Sequence, residues 1–352
     1  MIEKKTFGKT KNGREVTAYT LKGAGGLSLE VLDWGGRVNR VILPSGKDIA
    51  LGFDAPEGWE NGDSYYGCLI GRYANRIKDG KFTLDGVDYT LKCNNFPAGI
   101  GCALHGSDGG WHDRVWDAKP FENGEDVGIE LSLLSPDGEG GFPGTVEVLV
   151  TYTVTKDNVW RINYRAKAID KATPVAMTQH VYFNLKGESC GSIEDHTLEV
   201  AASKYAPYDA SQIPVGEIAD VKDTPFDFTT PRLVGERIDD DFDVLKFGKG
   251  YDHCWVLPEA DGLRFAARLS KGDDSLEVWT TEPAIQIYTG NWIPDGYPAK
   301  GADKFAPRCG IALETGAIPD SPNKPQFPNT ILRPGEVCES VTEFRFRQLF
   351  SA

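Results

Sequence analysis

The sequence predicts an all-β chain, a sandwich or a barrel, and three observations carry that expectation. Short runs with period-two alternation of apolar and polar residues recur along the whole length. Glycine and proline, 40 and 21 in number, interrupt these runs at intervals of roughly ten residues. Helical periodicity is scarce. Many short strands joined by turns belong in two packed sheets or one closed sheet.

The elements follow in chain order. Lys81-Phe82-Thr83-Leu84 and Val87-Asp88-Tyr89-Thr90-Leu91 flank Asp85-Gly86, a pair suited to a type I′ turn, so 81–91 reads as a tight hairpin. Residues 145–154 alternate through Val146, Val148, Val150, Tyr152 and Val154. After Lys156-Asp157-Asn158, residues 159–168 alternate through Trp160, Ile162, Tyr164 and Ala166, a second and longer hairpin. Met177-Thr178-Gln179-His180-Val181-Tyr182-Phe183-Asn184-Leu185 reads as one strand. Period two puts His180 on a polar face with Thr178, Tyr182 and Asn184, opposite a mostly apolar face. Residues 231–245 could hold a short helix or two, weakened by Asp239-Asp240-Asp241. Leu276-Glu277-Val278-Trp279-Thr280 and Ala284-Ile285-Gln286-Ile287-Tyr288-Thr289 read as strands flanking Pro283. No internal repeat, low-complexity linker or charge block divides residues 1–352, which predicts a single domain.

Composition narrows the function. The balance of 40% hydrophobic and 26% charged residues is that of an ordinary globular chain. The net charge of −14, with no basic stretch longer than Lys4-Lys5, excludes the footprint of a nucleic-acid binder. Seven cysteines, an odd number without a C-x-x-C pair, fit neither a disulfide framework nor a zinc knuckle, and they suit a reducing compartment. No run of about 18 apolar residues predicts a membrane span, and the polar start predicts no secretory leader. The expected location is cytoplasmic. No dinucleotide fingerprint, phosphate loop, H-E-x-x-H or nucleophile elbow occurs. His112-Asp113, Asp195-His196 and Asp252-His253 are adjacent pairs, which a strand would point to opposite faces. Neither a cofactor nor a metal is expected.

Four polar clusters remain. Gly71-Arg72-Tyr73-Ala74-Asn75-Arg76-Ile77 offers two guanidinium forks suited to paired oxygens. Leu104-His105-Gly106-Ser107 and the nearby Trp111-His112 place histidines in a glycine-rich loop. Gly250-Tyr251-Asp252-His253 sets an aspartate before an apolar run. Gly310-Ile311-Ala312-Leu313-Glu314-Thr315-Gly316 sets a carboxylate in a strand. Taken singly, each reads equally as a solvated loop, a turn or a capped strand. Together with Tyr182, Tyr288, Trp292 and Phe305 they make a surface suited to a carbohydrate, whose C–H faces stack on rings while its hydroxyls take directed hydrogen bonds. A binding module without catalysis would contain the same ingredients.

In order along the chain, these segments resemble the aldose 1-epimerase family of the galactose mutarotase type. The resemblance runs through Trp34-Gly35-Gly36, 71–77, Leu104-His105-Gly106, the stretch 135–144, His180-Val181-Tyr182-Phe183-Asn184-Leu185, Tyr251-Asp252-His253, 286–291 and Leu313-Glu314-Thr315. It implies a single large antiparallel β-sandwich with few short helices. It also implies that Glu314 is a general base, His180 a general acid and His105 a second histidine near the ring oxygen. Arg76, Asn75, Asp252 and Gln286 would be ligands of sugar hydroxyls. The implied partner is a small monosaccharide, with no nucleic acid or membrane, and the protein would be a monomer or homodimer. The implied reaction interconverts α and β anomers of aldoses such as galactose and glucose. Pentose or deoxysugar preference, or sugar binding without catalysis, are the alternatives. Ser107 departs from the family, which often has a second glycine there. At reference pKa values near ~4.3 and ~6.5, a glutamate base and a histidine acid would work without large shifts.

Overall fold

The computed structural model describes residues 1–62 and 65–348. Among these residues two large antiparallel sheets face each other. One has nine strands, in the order Asp117–Asn123, Asp126–Ser135, Val146–Val154, Val159–Ala168, Val337–Gln348, Asp274–Thr280, Arg264–Lys271, Thr197–Val200 and Arg232–Leu233. The other has six, in the order Tyr182–Phe183, Ile311–Gly316, Ala284–Tyr288, Asp252–Val256, Lys204–Ala206 and Ala219–Asp220. A four-stranded sheet from Ile2–Lys9 to Val38–Ile42 completes the core at the N-terminal side. The expected β-sandwich is therefore present. No helix among the described residues is long and apolar enough to cross a membrane.

Alternation builds the sandwich. In Val159–Ala168, Trp160, Ile162, Tyr164 and Ala166 are buried, while Arg161 and Arg165 face solvent and pair with Glu343 and Glu339. From the facing sheet come Ile285, Ile287, Ile311 and Leu313, in one apolar cluster with Ile162, Leu276, Val278 and Phe344. Each such side chain contributes about 1.5–3 kcal/mol on burial. Ring and hydroxyl contacts bridge the sheets directly. The Phe183 and Phe344 rings lie 5.3 Å apart, and the Thr315 and Thr342 hydroxyls are 2.6 Å apart. Because Leu313 and Ile287 point inward, period two turns Glu314 and Gln286 outward, and the register sets them opposite each other.

Both hairpins form as expected, with Asp85 and Gly86 at φ 51° and 79°. Three expectations are corrected. Residues 177–185 are not one strand. Thr178–Gln179 pairs with Leu69–Ile70, and Tyr182–Phe183 pairs with Ile311–Gly316, so the run breaks at His180 to serve two sheets. Asn184 does not share a face with His180. Its amide donates to the Gly191 and Cys309 carbonyls. Both strands flanking Pro283 form as expected, and the chain passes there from the nine-stranded to the six-stranded sheet. The helical stretch near 231–245 is a 3-10 turn, Val234–Glu236, and a helix displaced to Asp243–Gly248.

Arg72 turns out to be structural. Its buried guanidinium donates to the backbone carbonyls of Ser135, Pro136, Pro143 and Gly144 and to the Ser135 hydroxyl, and so ties down the glycine-rich loop 135–144. Arg72→Lys keeps the charge but loses the fork. We expect it to lower stability by about 2–4 kcal/mol, read as a lower urea midpoint at unchanged m-value.

Burial also sets the histidines' response to acid. It pushes His180, His196 and His253 down to about 4, His112 to about 3, and His105 well below its ordinary value. Above pH ~6.5 both folded and unfolded chains keep these rings neutral, so they add no pH dependence. Below it the unfolded chain binds protons that the folded chain refuses. Stability must therefore fall as pH drops from about 6.5 towards 4, by roughly 1.4 kcal/mol per ring per pH unit. Urea midpoints compared at pH 7.5 and 5 test this, and equal midpoints would contradict it.

Candidate active site

The outward face of the six-stranded sheet forms one wall of a cleft of about 500 Å³. Tyr182, Tyr288, Asp252 and Glu314 line it from the sheet. His180 enters from the break between its two short strands. Its backbone is gripped on both sides, N–H to Cys68 O and C=O from Gly67 N–H, each at 2.9 Å. Arg76 opens the strand Arg76–Lys78, which pairs with Cys102–Leu104, and His105 follows directly. Asn75 and His105 exchange hydrogen bonds there. The His105 N–H donates to Asn75 O at 3.1 Å, and the Asn75 N–H donates to His105 Nδ1 at 3.2 Å. Asn75, His105, Gly106 and Ser107 all lie at positive φ. Ser107 takes φ 59° without glycine's freedom, and its hydroxyl donates to Lys92 O at 2.6 Å. The loop thus keeps its turn with a serine in it.

Glu314, His180 and His105 come together. His180 Nε2 lies 3.6 Å from Glu314 Oε1, and the two histidine rings meet edge to face at 5.2 Å. All three side chains are buried. The donor set has the composition of a metal site, with one ligating atom from each within 4.8 Å of the others. The partner of His105 argues for another use. Nδ1 accepts the Asn75 N–H, which assigns the ring proton to Nε2, whereas a ligating imidazole offers a bare nitrogen and donates from the other. The set is suited to moving protons. The expectation that His180 would need no large shift is corrected: loss of water around the ring pulls it to about 4.

Arg76 and Asp252 form the other polar end. Arg76 Nη2 is 3.6 Å from Asp252 Oδ2, a gap that one hydroxyl can span by accepting from one group and donating to the other. Arg76 also donates to Asn95 Oδ1 at 3.0 Å and Gln212 Oε1 at 2.7 Å. Asn75 borders the cleft. Gln286 stands one layer behind it, its amide donating to Asp252 Oδ1 at 2.6 Å. Trp292 lies at the mouth, half exposed, with the Lys249 ammonium over its ring. Phe305 is not in the cleft. It packs against Phe53 and Tyr66 in a separate apolar cluster, because its strand is drawn into that core.

Sequence reasoning missed Tyr65, Asn95, Phe96 and Gln212 on the cleft wall. Tyr65 stacks on His180 at 6.2 Å and meets His105 edge-on at 4.6 Å. None of the four sits in a periodic run or a chemical motif, so no local signal marked them.

Across residues 17–345 the chain matches the protein family described as Aldose 1-epimerase. A galactose mutarotase from Bos taurus is 37% identical over 326 residues, which is 91% of either chain. An aldose 1-epimerase from Escherichia coli (strain K12) is 37% identical over 344 residues, covering 95% of this chain and 96% of its own. Among solved structures, a galactose 1-epimerase from Lactobacillus acidophilus NCFM matches with a TM-score of 0.87 and 26% identity over 99% of both chains.

Proposed function

The chain belongs to the aldose 1-epimerase family, and on that premise we propose that it interconverts the α and β anomers of free aldoses such as galactose and glucose. The observation that carries the reading is the His180–Glu314 pair, 3.6 Å apart in a cleft whose other end offers Arg76 and Asp252 to hydroxyls. Glu314 takes the proton of the C1 hydroxyl as the imidazolium of His180 gives one to the ring oxygen. The C1–O bond to the ring breaks and leaves an open-chain aldehyde. After rotation about C1–C2 the freed hydroxyl attacks the other face of the carbonyl. It returns its proton to His180, and Glu314 returns the other to the new C1 hydroxyl. His105, with its proton on Nε2, donates a hydrogen bond towards the ring oxygen. Arg76, Asn75 and Asp252 hold the remaining hydroxyls, and Gln286 acts by fixing Asp252.

The low pKa of His180 bears on this cycle. Loss of water around the ring keeps the imidazolium scarce in the buried cleft, against the pull of the nearby Asp252 charge. The acid step is therefore carried by the small protonated fraction of His180, beside the Glu314 carboxylate at 3.6 Å. Polarimetry on freshly dissolved α-galactose tests the proposal. Purified protein is expected to speed the approach to the equilibrium rotation. No acceleration with galactose, glucose, a pentose and a deoxysugar would rule out an epimerase and leave a sugar-binding protein.

A further inference from the structure

We propose that the loop 207–214 sets the hydroxyl-binding end of the cleft, with Tyr208 and Gln212 as positioning residues for Asp252 and Arg76. The inference rests on the sugar-epimerase reading and adds the group that determines which hydroxyl pattern is held.

The observations form a chain of four hydrogen bonds and one ion pair. The Tyr208 hydroxyl donates to Gln286 Oε1 at 2.8 Å. That turns the Gln286 amide so that its NH₂ donates to Asp252 Oδ1 at 2.6 Å. Asp252 Oδ2 faces Arg76 Nη2 at 3.6 Å, and the same Nη2 donates to Gln212 Oε1 at 2.7 Å. The Gln212 NH₂ ends the chain on Phe247 O at 2.8 Å. Tyr208 and Gln212 are four residues apart in one loop, so a single segment holds both ends.

Each link has one polarity. Tyr208 is buried, and its hydroxyl is pushed well above the ordinary tyrosine value, so it always carries its proton. If Gln286 were flipped, its carbonyl would face the Asp252 carboxylate, two acceptors without a proton between them. Tyr208 forbids that flip. Gln212, likewise, can offer Arg76 only its carbonyl. The loop is itself rigid. The Val215 N–H closes it on Pro207 O, the Ile213 carbonyl accepts from the Asp209 N–H, and Ser211 and Ile213 are buried. Asp252 is also fixed through its backbone, whose N–H donates to His253 Nδ1 while His253 Nε2 meets Val244 O. Only the carboxylate edge facing Arg76 is left to read a ligand.

The test is Tyr208→Phe, which removes one hydroxyl and keeps the ring. Mutarotation of galactose and its 2-, 3-, 4- and 6-deoxy analogues is followed for wild type and variant. The expected result is a KM for galactose raised about tenfold with kcat within about threefold. The wild type's discrimination against one deoxy analogue should shrink by a similar factor in the variant. A purely structural tyrosine would change all sugars alike. The inference is overturned by wild-type constants in the variant, by an equal loss on every sugar, or by a wild type that discriminates against no deoxy analogue. If Tyr208→Phe does not fold, Gln212→Ala carries the same measurement from the other end. A wild type inert on every aldose sinks the epimerase reading instead, and the two failures are thereby told apart.

Discussion

Glu314→Gln is expected to lower kcat for mutarotation by about 10³-fold, within the 10²–10⁴ range of a positioned acid–base group. The substitution keeps the shape and removes the basic oxygen. Glu314 sits on the outward face of Ile311–Gly316, while Leu313 and Thr315 hold the strand to the core, so the fold does not depend on its charge. KM should change little if, as proposed, the sugar hydroxyls are held mainly from the Arg76 end. The measurement is polarimetry above the spontaneous rate, with circular dichroism to show the variant folded. A folded variant within tenfold of wild type would remove Glu314 from its proposed role.

His180→Asn should cost a similar factor, about 10²–10⁴. Its effect on pH dependence is more telling. If His180 is the acid, its protonated fraction shrinks as pH rises above about 4, so wild-type kcat/KM should fall with rising pH. Without His180 this alkaline limb should flatten, because nothing remains to hand a proton to the ring oxygen. Asparagine also leaves Tyr65 and Tyr182 without the ring they pack on, at 6.2 and 4.9 Å. Some loss of stability is therefore expected, and urea unfolding separates it from loss of activity. The double variant should be no slower than the slower single one, since the two groups act as a unit. Multiplying losses would mean that they act independently.

The sequence carried much of this architecture in its alternation. Trp160, Ile162, Tyr164 and Ala166 announced a strand with one buried face, and Asp85-Gly86 announced its turn, because both signals are local. The break at His180 was not legible. Thr178–Gln179 and Tyr182–Phe183 have strand composition throughout, and only their separate partners divide them. The crossing between sheets at Pro283 was hidden for the same reason.

The site divides along that line as well. The polar clusters, together with the family they resemble, nominated Glu314, His180, His105, Arg76, Asn75 and Asp252, and all six border one cleft. Tertiary structure alone decided the rest. It moved Gln286 behind Asp252, took Phe305 into another core, assigned Arg72 to a structural clamp, and brought in Tyr65, Asn95 and Gln212. It also lowered the pKa of His180. Alternation and turn chemistry act between neighbours in the chain, so a sequence shows them directly. Desolvation and hydrogen-bond partnership act between groups more than a hundred residues apart, as with Arg76 and Gln212, and they come into being only when the sheets close.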